Sequence, residues 1–187
     1  MRLIVMGPPG AGKGTQATVV AANLGVPHVS TGDLFRANVG QGSGLGLEAK
    51  RYMDAGEYVP DSITNAMLRD RITHDDCRPG FLLDGYPRTL DQVNELDMML
   101  AASGQALDRT VELTVDTDEV VERLLKRAQD QGRADDTAEV IRRRLEVYAE
   151  QTAPLTAVYE GRGLLVRVDG LGDVAEVTRR ILAALAN

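Results

Sequence analysis

The chain has no tryptophan, two phenylalanines and five tyrosines among 187 residues, so Leu, Val, Ile, Ala and Met must build its core. A single cysteine, Cys77, excludes an intrachain disulfide and a cysteine-rich zinc knuckle. Free cysteine packs as a small hydrophobe, so Cys77 is expected inside and not as a nucleophile. There are two histidines, His28 and His74; neither lies in a ligand motif, and both read as structural or surface residues. No apolar run approaches the roughly 20 residues of a membrane span. The first, Leu3 to Met6, stops at Gly7-Pro8-Pro9, too short for a signal-peptide core. Positive charge is in deficit: 21 Lys and Arg against 28 Asp and Glu leave a net charge of −7. That balance argues against non-specific binding to nucleic acid or an anionic membrane, and any anionic ligand would need a local basic cleft. The composition, 43% hydrophobic and 26% charged, fits one soluble domain, with the cytoplasm as its default location.

What is present is an alternation of short apolar runs and longer helical periods. Strands are expected at Arg2–Met6, Pro27–Ser30, Phe81–Asp84, Thr110–Asp116 and Gly163–Asp169. Helices are expected at Lys13–Leu24, Gly32–Val39, Leu45–Ala55, Ser62–His74, Leu90–Ala101, Thr117–Ala128, Thr137–Tyr159 and Val174–Ala186. Near-continuous apolar strands separated by helices predict an α/β fold with a parallel sheet covered on both faces. Four pairs have the spacing of helix-starting caps: Thr89/Gln92, Asp116/Glu119, Asp136/Glu139 and Asp173/Glu176. Thr31 to about Thr73 holds several helices and no strand, so it reads as an insert. Gln129 to Asp136 is polar, joins two helices and reads as a loop or lid.

The first strand runs into Gly7-Pro8-Pro9-Gly10-Ala11-Gly12-Lys13-Gly14-Thr15. Gly7, Gly12 and Lys13 match the phosphate-loop pattern in its strand–loop–helix context. Glycines let successive N–H groups point inward, the helix start adds positive dipole, and Lys13 supplies a mobile charge. Gly14 stands where a Ser or Thr usually follows the lysine; the hydroxyl comes at Thr15, which puts direct Mg²⁺ ligation by that residue in doubt. The motif marks a nucleotide phosphate site without choosing a reaction.

Ser30-Thr31-Gly32-Asp33-Leu34-Phe35-Arg36 follows the second strand and Asp84-Gly85-Tyr86-Pro87-Arg88 the third. With these, with Gly-Arg-x-Asp-Asp at 132–136 and with Thr-Ala-Pro-Leu at 152–155, the sequence resembles the adenylate kinase family from Met1 to its C-terminus. The resemblance implies a doubly wound five-stranded parallel sheet in one domain. Its core would be 1–30, 74–127 and 138–187, with a monophosphate-binding insert at 31–73 and a short lid at 128–137. It implies an ATP site at Gly10, Ala11, Gly12, Lys13, Gly14, Thr15, Arg123, Arg127 and Gly172. It implies an AMP site at Thr31, Arg36, Glu57, Tyr58, Val59, Gly85, Tyr86, Pro87, Arg88, Gln92, Arg133 and Arg144. Lys13, Arg88, Arg127, Arg133 and Arg144 would carry catalysis, and Asp84 would hold Mg²⁺ through water. The short lid implies no zinc. ATP, AMP and ADP would be the partners, without nucleic acid or membrane, and the protein would be a monomer.

The arginines carry part of this on spacing. Arg123 and Arg127 share a helical face, as a basic site or as a solvated face paired with Glu119 and Glu122. Arg143 has Glu139 and Glu146 in helical reach and reads as surface decoration. The helical neighbours of Arg144 are Val140, Ile141, Val147 and Tyr148, so its guanidinium calls for an anion such as phosphate. Gln92 is either a base reader or the capping partner of Thr89, Asp33 either a site residue or a cap, and Asp84 either a metal acid or a turn acid. The competing functions are a UMP/CMP kinase on the same scaffold and a nucleotide-binding switch without chemistry. Ser-Thr-Gly-Asp, Pro-Arg-Thr and Gln92 favour adenine over the first, and the full arginine set speaks against the second.

Overall fold

In the computed structural model the described residues are 1–116, 120, 123, 124 and 137–186. Five strands, β1 (Arg2–Met6), β2 (His28–Ser30), β3 (Phe81–Asp84), β4 (Arg109–Thr114) and β5 (Leu165–Asp169), form one parallel sheet in the order β2-β3-β1-β4-β5. Ile4 lies between Leu83 on β3 and Thr110 on β4, which sets the register at the sheet centre. The period of two along β1 divides the core. Leu3 and Val5 pack with Ala17, Val20, Leu82, Val111 and Ile181 on one face; Ile4 and Met6 pack with Leu83, Tyr86, Val93, Leu96 and Tyr159 on the other. The central strands β1 and β3 are therefore covered on both faces, which is why they are apolar almost throughout, whereas β4 and β5 carry the Glu112–Arg167 ion pair.

The helices are α1 (Lys13–Leu24), α2 (Thr31–Gly40), α3 (Gly44–Ala55), α4 (Asp61–Ile72), α5 (Leu90–Ala101), α6 (Ala138–Val147), α7 (Leu155–Gly161) and α8 (Val174–Leu185). Val120, Arg123 and Leu124 are helical as well. Thr89 and Asp173 cap α5 and α8 as their spacing predicts, accepting from the N–H groups of Gln92 at 3.2 Å and Glu176 at 2.8 Å. Glu119 and Asp136 lie outside the described residues, and α6 is capped instead by Thr137, which accepts from the Val140 N–H. Cys77 is buried as expected, with its sulfur 3.0 Å from Arg71 Nη1.

One expected element is corrected. The helix predicted over Thr137–Tyr159 is broken: α6 ends at Val147, Tyr148–Thr152 widens into a π-turn closed by Ala153 N–H to Tyr148 O at 2.8 Å, and α7 restarts at Leu155. Pro154 has no N–H to continue the ladder and its ring crowds the carbonyl one turn back. The widened turn sets Thr152 against the end of the Asp84–Arg88 segment, where its hydroxyl donates to the Arg88 carbonyl at 2.9 Å.

Candidate active site

The cleft that gathers most of the expected site residues lies beyond the carboxyl ends of β1, β2 and β3. In doubly wound sheets that is where connections diverge to opposite faces and leave a crevice. The cleft has a volume of about 660 Å³. Its floor is the loop from β1 to α1. Gly10 needs its left-handed φ of 85° and its lack of a side chain, since a Cβ would sit 2.9 Å from the Val120 carbonyl oxygen. Lys13 folds over the loop, donating from Nζ to the carbonyls of Gly7 at 2.8 Å and Pro8 at 2.9 Å. The first-turn N–H groups of α1 have no carbonyl one turn back and form a donor set at the positive end of the helix.

Asp84 ends β3 directly beside this loop, close enough that a Cβ on Gly14 would meet its Oδ2 at 3.4 Å. Burial pushes its carboxyl pKa up, but the His28 ring, Lys13 and Arg88 outweigh that and hold it below the usual carboxylate range. Thr18 Oγ1 donates to the Gly14 carbonyl at 2.9 Å and so accepts from His28 Nδ1 at 3.3 Å. His28 Nε2 consequently faces Asp84 Oδ2 at 3.4 Å, an ion-pair distance without a well-formed hydrogen bond. His28, expected as a structural or surface residue, lines the cleft between Thr18 and Asp84. Its position at the start of β2 was the available signal.

An ionised, largely buried carboxylate beside a phosphate loop fits Mg²⁺. That ion takes few protein oxygens and is otherwise held by water and phosphate. Among the described residues no group of three His, Cys, Asp or Glu side chains could hold a metal. Any ion here would depend on Asp84, water and nucleotide.

The opposite wall comes from α2, α3 and the segment between α3 and α4. Thr31 Oγ1 donates to the Gly85 carbonyl at 2.9 Å. Gly85, with φ 80°, leaves room for that contact, since a Cβ would lie 2.8 Å from the Thr31 hydroxyl. Arg36 pairs with Asp33 at 2.5 Å. Arg88 is held by its own Gly85 carbonyl at 2.8 Å and stacks over the Tyr58 ring at 4.9 Å. Tyr58 hydrogen-bonds Thr152 at 2.6 Å; because Thr152 donates to Arg88, the phenol is the donor. Glu57 binds Arg143 Nε at 2.7 Å, so Arg143 is not surface decoration. Its partners are Glu57 and Glu146, and it ties the α3–α4 segment to α6.

Gln92 is nearly fully buried at the cleft edge. Its side chain does not close a capping box on Thr89 but reaches one residue further back, accepting from the Arg88 N–H at 2.7 Å and donating to Asp61 Oδ1 at 2.7 Å.

Of the remaining expected residues, Gly12, Gly14, Thr15, Glu57, Val59, Tyr86, Pro87, Arg123 and Arg144 also line the cleft. Ala11 is buried in the core cluster beneath the loop. Gly172 lies outside the lining, and the nearby contact is from Arg123 Nη1 to the Gly170 carbonyl at 3.4 Å. Arg127, Arg133 and the lid at 128–137, apart from Thr137, lie outside the described residues. Residues that sequence reasoning missed include Asp61, Tyr148 and Thr152; Thr152 was visible only as part of a motif.

The cleft can hold two anionic groups between a phosphate loop and a ring of arginines. Comparison with known proteins agrees. Residues 5–164 match the family model described as adenylate kinase. The chain is 62% identical to an adenylate kinase of Kocuria rhizophila over 98% of both chains. It is 63% identical to one of a Nocardioides species over 99% of this chain and 97% of that one. An adenylate kinase of Thermobifida fusca is 57% identical over 99% and 98%. The chain belongs to the adenylate kinase family.

Proposed function

We propose that this protein catalyses the reversible transfer ATP + AMP ⇌ 2 ADP with Mg²⁺, keeping the adenine nucleotides in balance in the cytoplasm, and that it works as a monomer. The carrying observation is one continuous cleft with Lys13 and the phosphate loop at one side and Thr31, Arg36 and Arg88 at the other, with Arg123 and Arg144 also on its wall. In this reading the loop holds the ATP phosphates, and residues 31–73 act as the insert that holds AMP. Residues 128–137 act as a lid bringing Arg133 over the transferring group, with Arg127 beside it.

The AMP phosphate is already an anion, so no strong base is needed to create the nucleophile. One of its oxygens attacks the γ-phosphorus in line, and the bond from that phosphorus to the β,γ-bridging oxygen breaks. Lys13 Nζ, released from the Gly7 and Pro8 carbonyls, follows the outer phosphates; the loop N–H groups take charge developing on the leaving oxygen. Arg88 and Arg36 orient the acceptor phosphate, and Arg144 shares the charge of the transferred group. Asp84 would hold Mg²⁺, and the ion would supply charge neutralisation for the outer phosphates. Closure of insert and lid excludes water, which would otherwise take the phosphoryl group. One phosphoanhydride forms as another breaks, so the equilibrium lies near unity.

A coupled assay with ATP and, in turn, AMP, UMP and CMP tests the proposal, with and without a Mg²⁺ chelator. Turnover is expected with AMP, at least tenfold above UMP by the usual worth of base-edge discrimination and above CMP by pocket size, and none after chelation. Faster turnover of UMP or CMP would move the protein to the pyrimidine kinases.

A further inference from the structure

Asp61 is the first residue of α4, on a different element from Gln92 in α5. Its Oδ1 accepts from Gln92 Nε2 at 2.7 Å and its Oδ2 accepts from the Thr89 hydroxyl at 2.8 Å. Thr89 in turn accepts from the Gln92 backbone N–H. On the other side, Gln92 Oε1 is claimed by the Arg88 N–H. A primary amide can turn over, exchanging its oxygen and nitrogen at little cost when its neighbours tolerate both. Here neither neighbour does. A backbone N–H can only donate and a carboxylate only accept, so the two clamps define one orientation. Each end keeps one further bonding position, a second N–H and a second lone pair, and the residue lines the cleft.

We infer that Asp61 is a positioning residue for base selection, holding the Gln92 amide in the one orientation that matches adenine. This rests on reading the insert side of the cleft as the AMP end. Adenine shows an acceptor at N1 beside a donor at its 6-amino group, complementary to a fixed N–H and C=O in this order. Hypoxanthine shows the reverse, an N1–H donor beside an O6 acceptor, and so does guanine; uracil carries the same reversed pair at N3 and O4. Against these bases a locked amide places donor on donor and acceptor on acceptor, which costs far more than a missing contact. Cytosine has the adenine pattern, so the lock does not reject it and pocket size must. Without Asp61 the nitrogen end is freed, only the Arg88 N–H resists turning, and the amide can rotate with its base.

Inosine monophosphate is the cleanest probe, differing from AMP only at this edge. Asp61→Ala and Asp61→Ser, the second keeping a residue suited to a helix start, should each lower the ratio of kcat/KM for AMP over IMP by about tenfold or more. The KM for ATP should stay near the parent's. Asp61→Asn puts a second amide there, which can present either its oxygen or its nitrogen to Gln92 because the Thr89 hydroxyl can donate or accept, so it should lower the ratio as well. An unchanged AMP-to-IMP ratio in the Ala and Ser variants, even with both activities reduced together, would show that Asp61 merely supports the fold and would overturn the inference. Failure of the underlying functional reading looks different. The parent itself would then fail to favour AMP over UMP, and a lock for adenine would have no object.

Discussion

Lys13 and Arg144 illustrate two ways a cation can belong to a site. Lys13 is parked on two carbonyls of its own loop, contacts that a phosphate can replace at little cost because carbonyl dipoles are weaker partners than anions. Lys13→Met should therefore keep the melting temperature within a few degrees while lowering kcat by about 10²-fold or more; circular dichroism melting and steady-state kinetics check both. Arg144 sits half-buried on the wall of the cleft, one residue from Arg143, which turns to Glu57. The pair separates transfer from binding. Arg144→Leu should cut kcat by about 10²-fold or more, with the KM for ATP little changed. Arg143→Leu should leave kcat close to the parent's and raise the KM for AMP a few-fold, because Glu57 loses its tether; both partners are substantially exposed, so the ion pair itself is weak. Equal kcat losses in the two variants would undo the distinction.

Among the elements, the broken helix between α6 and α7 decides most. A continuous helix through 137–159 would carry Thr152 on a regular helical path, and the amphipathic period alone gave no reason to expect otherwise. Pro154 was visible, but a proline tells where a helix yields, not whether it kinks, ends or widens into a π-turn. In the structure the widened turn delivers Thr152 to the Arg88 carbonyl and to the Tyr58 hydroxyl. Thr152 is buried, so its loss leaves two groups without that partner. Thr152→Ala should destabilise the protein by about 1–3 kcal/mol and raise the KM for AMP, while Thr152→Ser should behave as the parent. Urea unfolding of the three proteins measures the first effect and kinetics the second. A Ser variant as weak as the Ala variant would make the methyl, and not the hydroxyl, the working part.

At the scale of the molecule, the sheet is a rigid platform whose upper edge holds the chemistry. Leu83 lies on β3 one residue before Asp84 and is completely buried against Tyr86, Val93 and Leu96. Leu83→Ala should cost about 2–5 kcal/mol through lost burial and the cavity left behind. The same loss of packing should loosen Asp84, so the concentration of Mg²⁺ needed for half-maximal rate should rise as well. A variant that is destabilised by this amount with an unchanged Mg²⁺ dependence would separate the platform from the site.

The order of strands and helices, the two-sided core and the phosphate loop were legible in the chain because each is local. A period of two or 3.6, a cap three residues from its partner, or glycines around a lysine need no distant residue to be recognised. Arg36 and Arg88 could likewise be named from motifs at strand ends. The partnerships that shape the cleft could not. Asp61 with Gln92, Glu57 with Arg143, His28 with Asp84 and Tyr58 with Thr152 are separated by 31, 86, 56 and 94 positions. A side chain's hydrogen-bonding capacity is written in its type, but whether a glutamine caps a helix or reads a base depends on which donor and acceptor the fold sets beside it. Sequence determined what each group can do, and tertiary structure decided with whom, because hydrogen bonds and ion pairs act over a few ångströms whatever the length of chain between them.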